Sequence, residues 1–306
     1  MTAASNPTTR RGFLGASASA AGAMAVGAGP ARAADRPNVI VIVVDTLRAD
    51  HVYGKRARTP NMDALAREGL RFTRAHPEAM PTVPVRNSVL SGRRYFPFRG
   101  WHDYKGLLDN PGWSPITNVD RSLTSVLHRA GYWTALVTDN PFVGFAAPYR
   151  RLRGSFDRLV RTGGQIGGKG IGVSEREVLH WLLPELGRSA KLRARMRRYL
   201  AAGQYTHDEA HSFAARVFTN AARVLGEAAR RRPFAMVVDT YEPHEPWTPP
   251  RKYINLYGDP DHKGPEPGHP RYGKLDEYWR GDPSRMLARM HALYAAEVTM
   301  TDRWLG

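Results

Sequence analysis

The sequence contains no cysteine in its 306 residues, so no disulfide can stabilise it and folding outside the cytoplasm would need no oxidation. Acidic side chains are scarce: 28 Asp and Glu stand against 45 Lys and Arg, a formal net charge of +17. Such a balance concentrates anionic partners at the surface, among them phosphate or sulfate esters, acidic polysaccharide, teichoic acid and nucleic acid. No internal repeat and no recognisable nucleic-acid motif occurs. The basic runs Arg188 to Arg198 and Arg230 to Arg232 read as solvated helix faces, and no nucleic-acid partner is expected. Six glycines fall between Gly163 and Gly172. They lack the strand-then-helix setting of a dinucleotide-binding turn and read as a flexible loop.

A strong membrane-spanning run is missing too. The apolar stretch from Phe13 to about Ala28 is short and rich in Gly and Ala, too weak to span a bilayer well. It follows a twin-arginine pattern, Thr9-Arg10-Arg11-Gly12-Phe13-Leu14, and precedes the small-x-small group Pro30-Ala31-Arg32-Ala33. Residues 1–33 therefore read as a cleaved signal for the twin-arginine export machinery. The product is expected outside the cytoplasm, in the periplasm, cell wall or medium, with no stable membrane anchor. Cleavage after Ala33 would remove Arg10, Arg11 and Arg32 and no acid, taking the net charge from +17 to +14 and leaving 273 residues. That length suffices for one substantial core.

Asn38 to Val44 is an unbroken apolar, β-branched run, expected to form a central strand buried on both faces of a parallel sheet. Asp45 follows at its carboxyl end, where open α/β sheets place ligands. Thr134 to Val137 and Phe234 to Val238 read as two further buried strands, ending at Asp139 and Asp239. Leu70 to Thr73 is a candidate short strand. Helices are expected from Thr59 to Glu68 with Gly69 as stop, from about Val85 to Leu90 and from Ser122 to Ala130. Further helices are expected over Leu179 to Leu200, Asp208 to Arg231 and Ser284 to Gly306. The last carries Met286, Met290, Leu293, Tyr294, Val298 and Leu305 at helical spacing. Strands alternating with helices, and carboxylates at strand ends, predict a three-layer α/β/α domain with a mainly parallel central sheet.

Four segments carry the candidate chemistry. Asp45 opens Asp45-Thr46-Leu47-Arg48-Ala49-Asp50-His51; a carboxylate leaving a buried strand is costly unless paired or metal-bound. Thr82-Val83-Pro84-Val85-Arg86 precedes Ser91-Gly92-Arg93-Arg94. An alcohol such as Thr82 attacks well only when a metal, a cation or a helix N-terminus stabilises its alkoxide; its alternative is a plain helix cap. Gly131-Tyr132-Trp133-Thr134-Ala135 leads to Thr138-Asp139-Asn140-Pro141, and Tyr241-Glu242-Pro243-His244-Glu245-Pro246-Trp247 follows the last strand.

Together these segments, across Arg36 to Gly306, resemble the sulfatases of the alkaline phosphatase superfamily. The Thr82 segment is similar to their Cys/Ser-x-Pro-x-Arg nucleophile motif, whose first residue is oxidised to formylglycine; here it is Thr. The Asp45 segment resembles their opening motif, in which the first Asp binds a divalent cation. Many members have Asp-Asp where this chain has Asp45-Thr46. The Gly131 segment resembles a second signature that continues in the family with a sulfate-holding Lys and His. Here Asp139 and Asn140 follow instead, either as structural residues or as contacts to a different substrate or a second cation. The His244 segment resembles the family's Asp-Pro-His-x-Pro-Tyr, whose histidine lies on the leaving-group side.

The resemblance implies Thr82, Arg86 and His244 as nucleophile, charge stabiliser and general acid. It implies Asp45 and Thr82 as metal ligands, with calcium the first choice and magnesium, manganese or zinc as alternatives. The later Asp-His-Gly that completes the family's cation site does not occur, so residues 34–306 are expected to be a partial, N-terminal piece of the catalytic domain. The expected function is hydrolysis of sulfate or phosphate esters on anionic small or polymeric substrates. Two alternatives stand beside it: a phosphodiesterase or phosphotransferase with a Thr nucleophile, and a non-catalytic anion-binding relative.

Overall fold

The computed structural model describes residues 36–306 except positions 55, 100, 106, 144, 145, 147, 148, 166–168, 170, 171 and 204–207. The export segment over 1–33 lies outside the described residues. Among the described residues no helix is long and apolar enough to cross a membrane.

Four parallel strands, β1 (Val39–Val44), β2 (Trp133–Thr138), β3 (Arg158–Arg161) and β4 (Phe234–Thr240), form a sheet in the order β1-β4-β2-β3. Every residue of β4 is buried, as a strand sandwiched between two helical layers requires. Alternation of side chains across the pleat divides its residues between those layers. Met236 and Val238, with Ala135 and Val137 of β2, meet the long helix Phe213–Ala228 through Ala214, Val217, Phe218 and Val224. Val237 and Leu136 point the other way, to Val83 and Leu90 of the helix Thr82–Ser91 and to Tyr149, Leu152 and Phe156. This is the three-layer α/β/α arrangement.

The helices, in chain order, are α1 (Pro60–Glu68), α2 (Thr82–Ser91), α3 (Leu123–Arg129), α4 (Arg150–Arg153), α5 (Glu175–His180), α6 (Pro184–Gly187), α7 (Ala190–Gly203), α8 (Phe213–Ala228), α9 (Arg251–Ile254) and α10 (Pro283–Leu305). A second core joins α5, α7, α8 and α10 through Val178, Met196, Tyr199, Phe213, Leu293 and Met300. At 23 residues, α10 is about 35 Å long. It fastens the start of the domain. The Asp302 carboxylate accepts from the backbone N–H groups of Asn61 (3.1 Å) and Met62 (2.8 Å) at the start of α1. The Tyr294 hydroxyl donates to the Thr46 carbonyl at 2.7 Å and accepts from the Arg48 N–H at 2.9 Å.

Three sequence expectations change. Among the described residues β1 is an edge strand, not a central one, and Ile40 and Ile42 are 45% and 42% exposed; apolar continuity alone cannot distinguish a buried face from an uncovered one. Leu70 to Thr73 forms no strand, with Leu70 and Phe72 exposed, because no neighbouring strand pairs with it. The helix expected over Leu179 to Leu200 is three helices. Pro184 supplies no N–H to continue α5 and instead starts α6.

Asp302→Ala leaves the Asn61 and Met62 donors without their acceptor. The expected loss is about 1–3 kcal/mol, read from urea unfolding midpoints; a loss under about 0.5 kcal/mol would show that this carboxylate does not hold α1.

Candidate active site

Parallel register sets the site. Val44 of β1 pairs with Thr240 and Thr138 of β2 with Asp239, so Asp45, Asp239 and Asp139 emerge side by side at the carboxyl edge of the sheet. The turn after β1 is sharp: Thr46 has φ +53°, a region costly for a β-branched residue.

Helix α2 approaches the same edge with Thr82 as its first residue. Pro81, not Thr82, holds the N-cap position, and the Thr82 side chain lies beside the Asp45 carboxyl and favours its ionised form. The plain-cap reading therefore does not describe it. One turn on, Arg86 lies between two carboxylates. Its Nη2 and Nε donate to Asp239 at 2.7 and 3.3 Å, and its Nη1 lies 3.0 Å from Asp45 Oδ2. All three side chains are about 95% buried. Burial alone would lower the Arg86 pKa, but Asp239 and Asp45 outweigh it and raise the value. Burial pushes the Asp45 carboxyl upward against the opposing pull of Arg86, His244 and Thr82.

His244 faces the same space from the loop after β4. Its Nδ1 meets the Glu245 carbonyl at 2.8 Å, and a carbonyl only accepts, so Nδ1 carries the hydrogen and Nε2 is left for a substrate. The ring stacks on Tyr241 with centroids 4.3 Å apart. Three outside contacts fix this loop: Asp139 Oδ1 accepts from the Tyr241 N–H at 2.7 Å, Gln165 Nε2 donates to the His244 carbonyl at 2.9 Å, and Glu242 caps α8. Thr82, His244, Trp113, Phe142, Tyr241 and Tyr272 line a cavity of about 720 Å³.

Asp139 and Asn140 do not line this cavity. Asn140 Oδ1 accepts from the Phe142 and Val143 N–H groups, a turn-forming role, while Asp139 anchors Tyr241. Burial raises the Asp139 pKa well above the carboxylate range. Asp239 was visible in the sequence as a strand-end acid; only the β4 register reveals it as the partner of Arg86. The basic run on α7 is not uniformly solvated: Arg195 and Arg198 line the cavity.

Asp45 Oδ2 contacts Arg86 outside hydrogen-bond geometry and has no hydrogen-bond partner. With the Thr82 hydroxyl it presents two oxygen donors, which fit one edge of a divalent-cation shell. Among the described residues no group of three or more His, Asp or Glu side chains converges to hold a metal.

An α/β domain with an alcohol and an imidazole lining one cleft at the sheet's carboxyl edge, and a clamped arginine buried behind the alcohol, has the alkaline-phosphatase-like architecture. The family profile described as Sulfatase matches residues 37–306, and the chain belongs to the sulfatase family. It is 25% identical to an arylsulfatase of Clostridium perfringens over 297 residues, covering 89% of this chain and 58% of that protein. A choline-sulfatase of Rhizobium meliloti is 26% identical, covering 76% of this chain and 43% of the relative. The phosphonate monoester hydrolase of Silicibacter pomeroyi shares the fold at a TM-score of 0.56 and 20% identity, covering 88% of this chain and 58% of that one. The chain thus spans about half the length of these relatives, from 43% to 58%. Sulfatases generally use a divalent metal ion.

Glu242 gives the site a pH signature. Burial raises its pKa to about 7 from a usual value of 4.5, against the opposing pull of the α8 N–H groups. Between those two values the folded state binds more protons than the unfolded, so stability falls as pH rises through that window. Glu242→Gln should flatten this slope, measured as urea midpoints from pH 4 to 8; parallel profiles for the two proteins would contradict it.

Proposed function

We propose that this chain carries the nucleophile side of an exported, metal-assisted hydrolase of sulfate esters. The observation that supports it most is the buried series Thr82–Asp45–Arg86–Asp239, opening on a cavity that His244 also lines. The Thr82 oxygen attacks sulfur and its proton is released to solvent. Arg86, held in place by Asp239, and the α2 N-terminus stabilise charge on the sulfuryl oxygens. As the sulfur–oxygen ester bond breaks, His244, protonated on both ring nitrogens, gives its Nε2 proton to the departing alcohol oxygen. Water then attacks the threonyl sulfate with His244 as base, and the departing Thr82 oxygen takes a proton back from solvent.

The charge balance explains why a metal belongs here. Asp45, Asp239 and Arg86 sum to one negative charge when both acids are ionised, which repels an anionic ester. A divalent cation, calcium first by family resemblance and magnesium, manganese or zinc otherwise, would be held by Asp45 and Thr82 and supply Lewis-acid stabilisation. The rest of the proposal follows the sequence: a twin-arginine signal over 1–33, a partial catalytic domain over 34–306, and action outside the cytoplasm.

Phosphate ester transfer is the second reading. It is favoured by the alcohol nucleophile and by Asp139 and Asn140 standing where the family's sulfate-holding Lys and His would be. A non-catalytic anion binder would show metal-independent binding and no turnover.

Thr82→Ala should abolish hydrolysis of 4-nitrophenyl sulfate and 4-nitrophenyl phosphate, assayed with each of the four cations in turn. Retained turnover of either would remove Thr82 as nucleophile. His244→Ala should slow esters of poorly acidic alcohols about a hundredfold, with a smaller effect on the nitrophenyl esters; equal losses would argue against an acid role.

A further inference from the structure

Helix α7 sorts its arginines by face. Arg193 and Arg197, one turn apart, both pair with Glu175 of α5. Arg195 and Arg198, on another face, point away from that acid and line the cavity that holds Thr82 and His244. Both are exposed, and among the described residues neither forms an ion pair or side-chain hydrogen bond to a protein acceptor. The neighbouring carboxylate, Glu245, already contacts Tyr272 and His244. Two positive charges are therefore held at the cavity wall, and among the described residues no protein anion pairs with them.

The cleft continues beyond them. Arg195 and Tyr272 also line an adjoining cavity of about 380 Å³ with Glu185, His269 and Arg271. His269 is only 8% exposed, yet neither of its ring nitrogens has a hydrogen-bond partner. Burial and Arg195 lower its pKa to about 4, so it is a neutral donor and acceptor at ordinary pH. Glu185 Oε2 is likewise buried without a partner. Unpartnered buried polar atoms are costly and mark a place where a ligand can supply the missing bonds.

We infer that the cleft is built for an ester whose leaving group carries a second anionic group, seated on Arg195 and Arg198, and hydroxyls that reach His269 and Glu185. This rests on the reading of Thr82 as the point of attack. It makes the arginines specificity residues: they select what is attached to the ester, while Arg86 serves the ester itself. An acidic, hydroxylated ester would be preferred over a simple aryl or alkyl one.

The test uses two probes, N-acetylglucosamine 6-O-sulfate with one anion and glucosamine N,6-O-disulfate with two. Binding is measured by calorimetry to the full chain carrying Thr82→Ala, and sulfate release is measured with the unaltered chain. The doubly charged probe should bind about tenfold tighter or better, and adding R195Q/R198Q should erase that preference. R193Q/R197Q removes the same charge from the other face and should leave the preference intact; thermal melts check that both double variants fold. Equal affinity for the two probes would overturn the inference. So would a loss of preference of the same size in R193Q/R197Q, which would mean long-range charge alone. If the arginine-dependent preference holds but no sulfate is released, the hydrolase reading fails while the subsite stands. If sulfate is released and the preference ignores Arg195 and Arg198, the subsite fails alone.

Discussion

The position of Arg86 between Asp45 and Asp239 is the interaction on which the rest of the site depends. Three ionisable groups are taken out of water together, and each is tolerable only because of the others. The pairing draws the C-terminal ends of β1 and β4 and the first turn of α2 to one point. It thereby brings the Thr82 side chain beside the Asp45 carboxyl. Removing the guanidinium would leave two carboxylates facing each other in a buried place. Both the fold at this edge and its capacity to receive an anion rest on that one cation.

The sequence carried the layers well and their edges poorly. The runs at Val39–Val44, Trp133–Thr138 and Phe234–Thr240 are β-branched and apolar enough to be strands under almost any tertiary arrangement, and the α10 stripe is a plain helical pattern. Periodicity does not say which strand is outermost, so β1 was expected in the centre. It also does not say whether a short apolar piece finds a partner, so Leu70 to Thr73 was expected as a strand. Pro184 inside a basic, helix-forming stretch was the local signal that α5, α6 and α7 are separate.

For the site, motif spacing brought forward Asp45, Thr82, Arg86 and His244; the fold puts Thr82 and His244 on one cleft and buries Asp45 and Arg86 behind Thr82. Asp239 was missed as a site residue because pairing between distant strands is a property of register, invisible to a linear reading. Arg195 and Arg198 were read as solvated because a charge run looks the same from every side until its helix is docked. His269 had no signal at all: an isolated histidine in a Pro- and Gly-rich loop becomes notable only when burial leaves its nitrogens without partners.

The reach of α10 has a consequence for the order of assembly. Tyr294 holds the turn that follows Asp45, and Asp302 holds the start of α1, across separations of 240 to 248 residues. The turn after β1 is thus fastened by a helix made some 246 to 248 residues later. Contacts of such long range close slowly and only once both ends exist. The cleft cannot be set before α10 has left the ribosome.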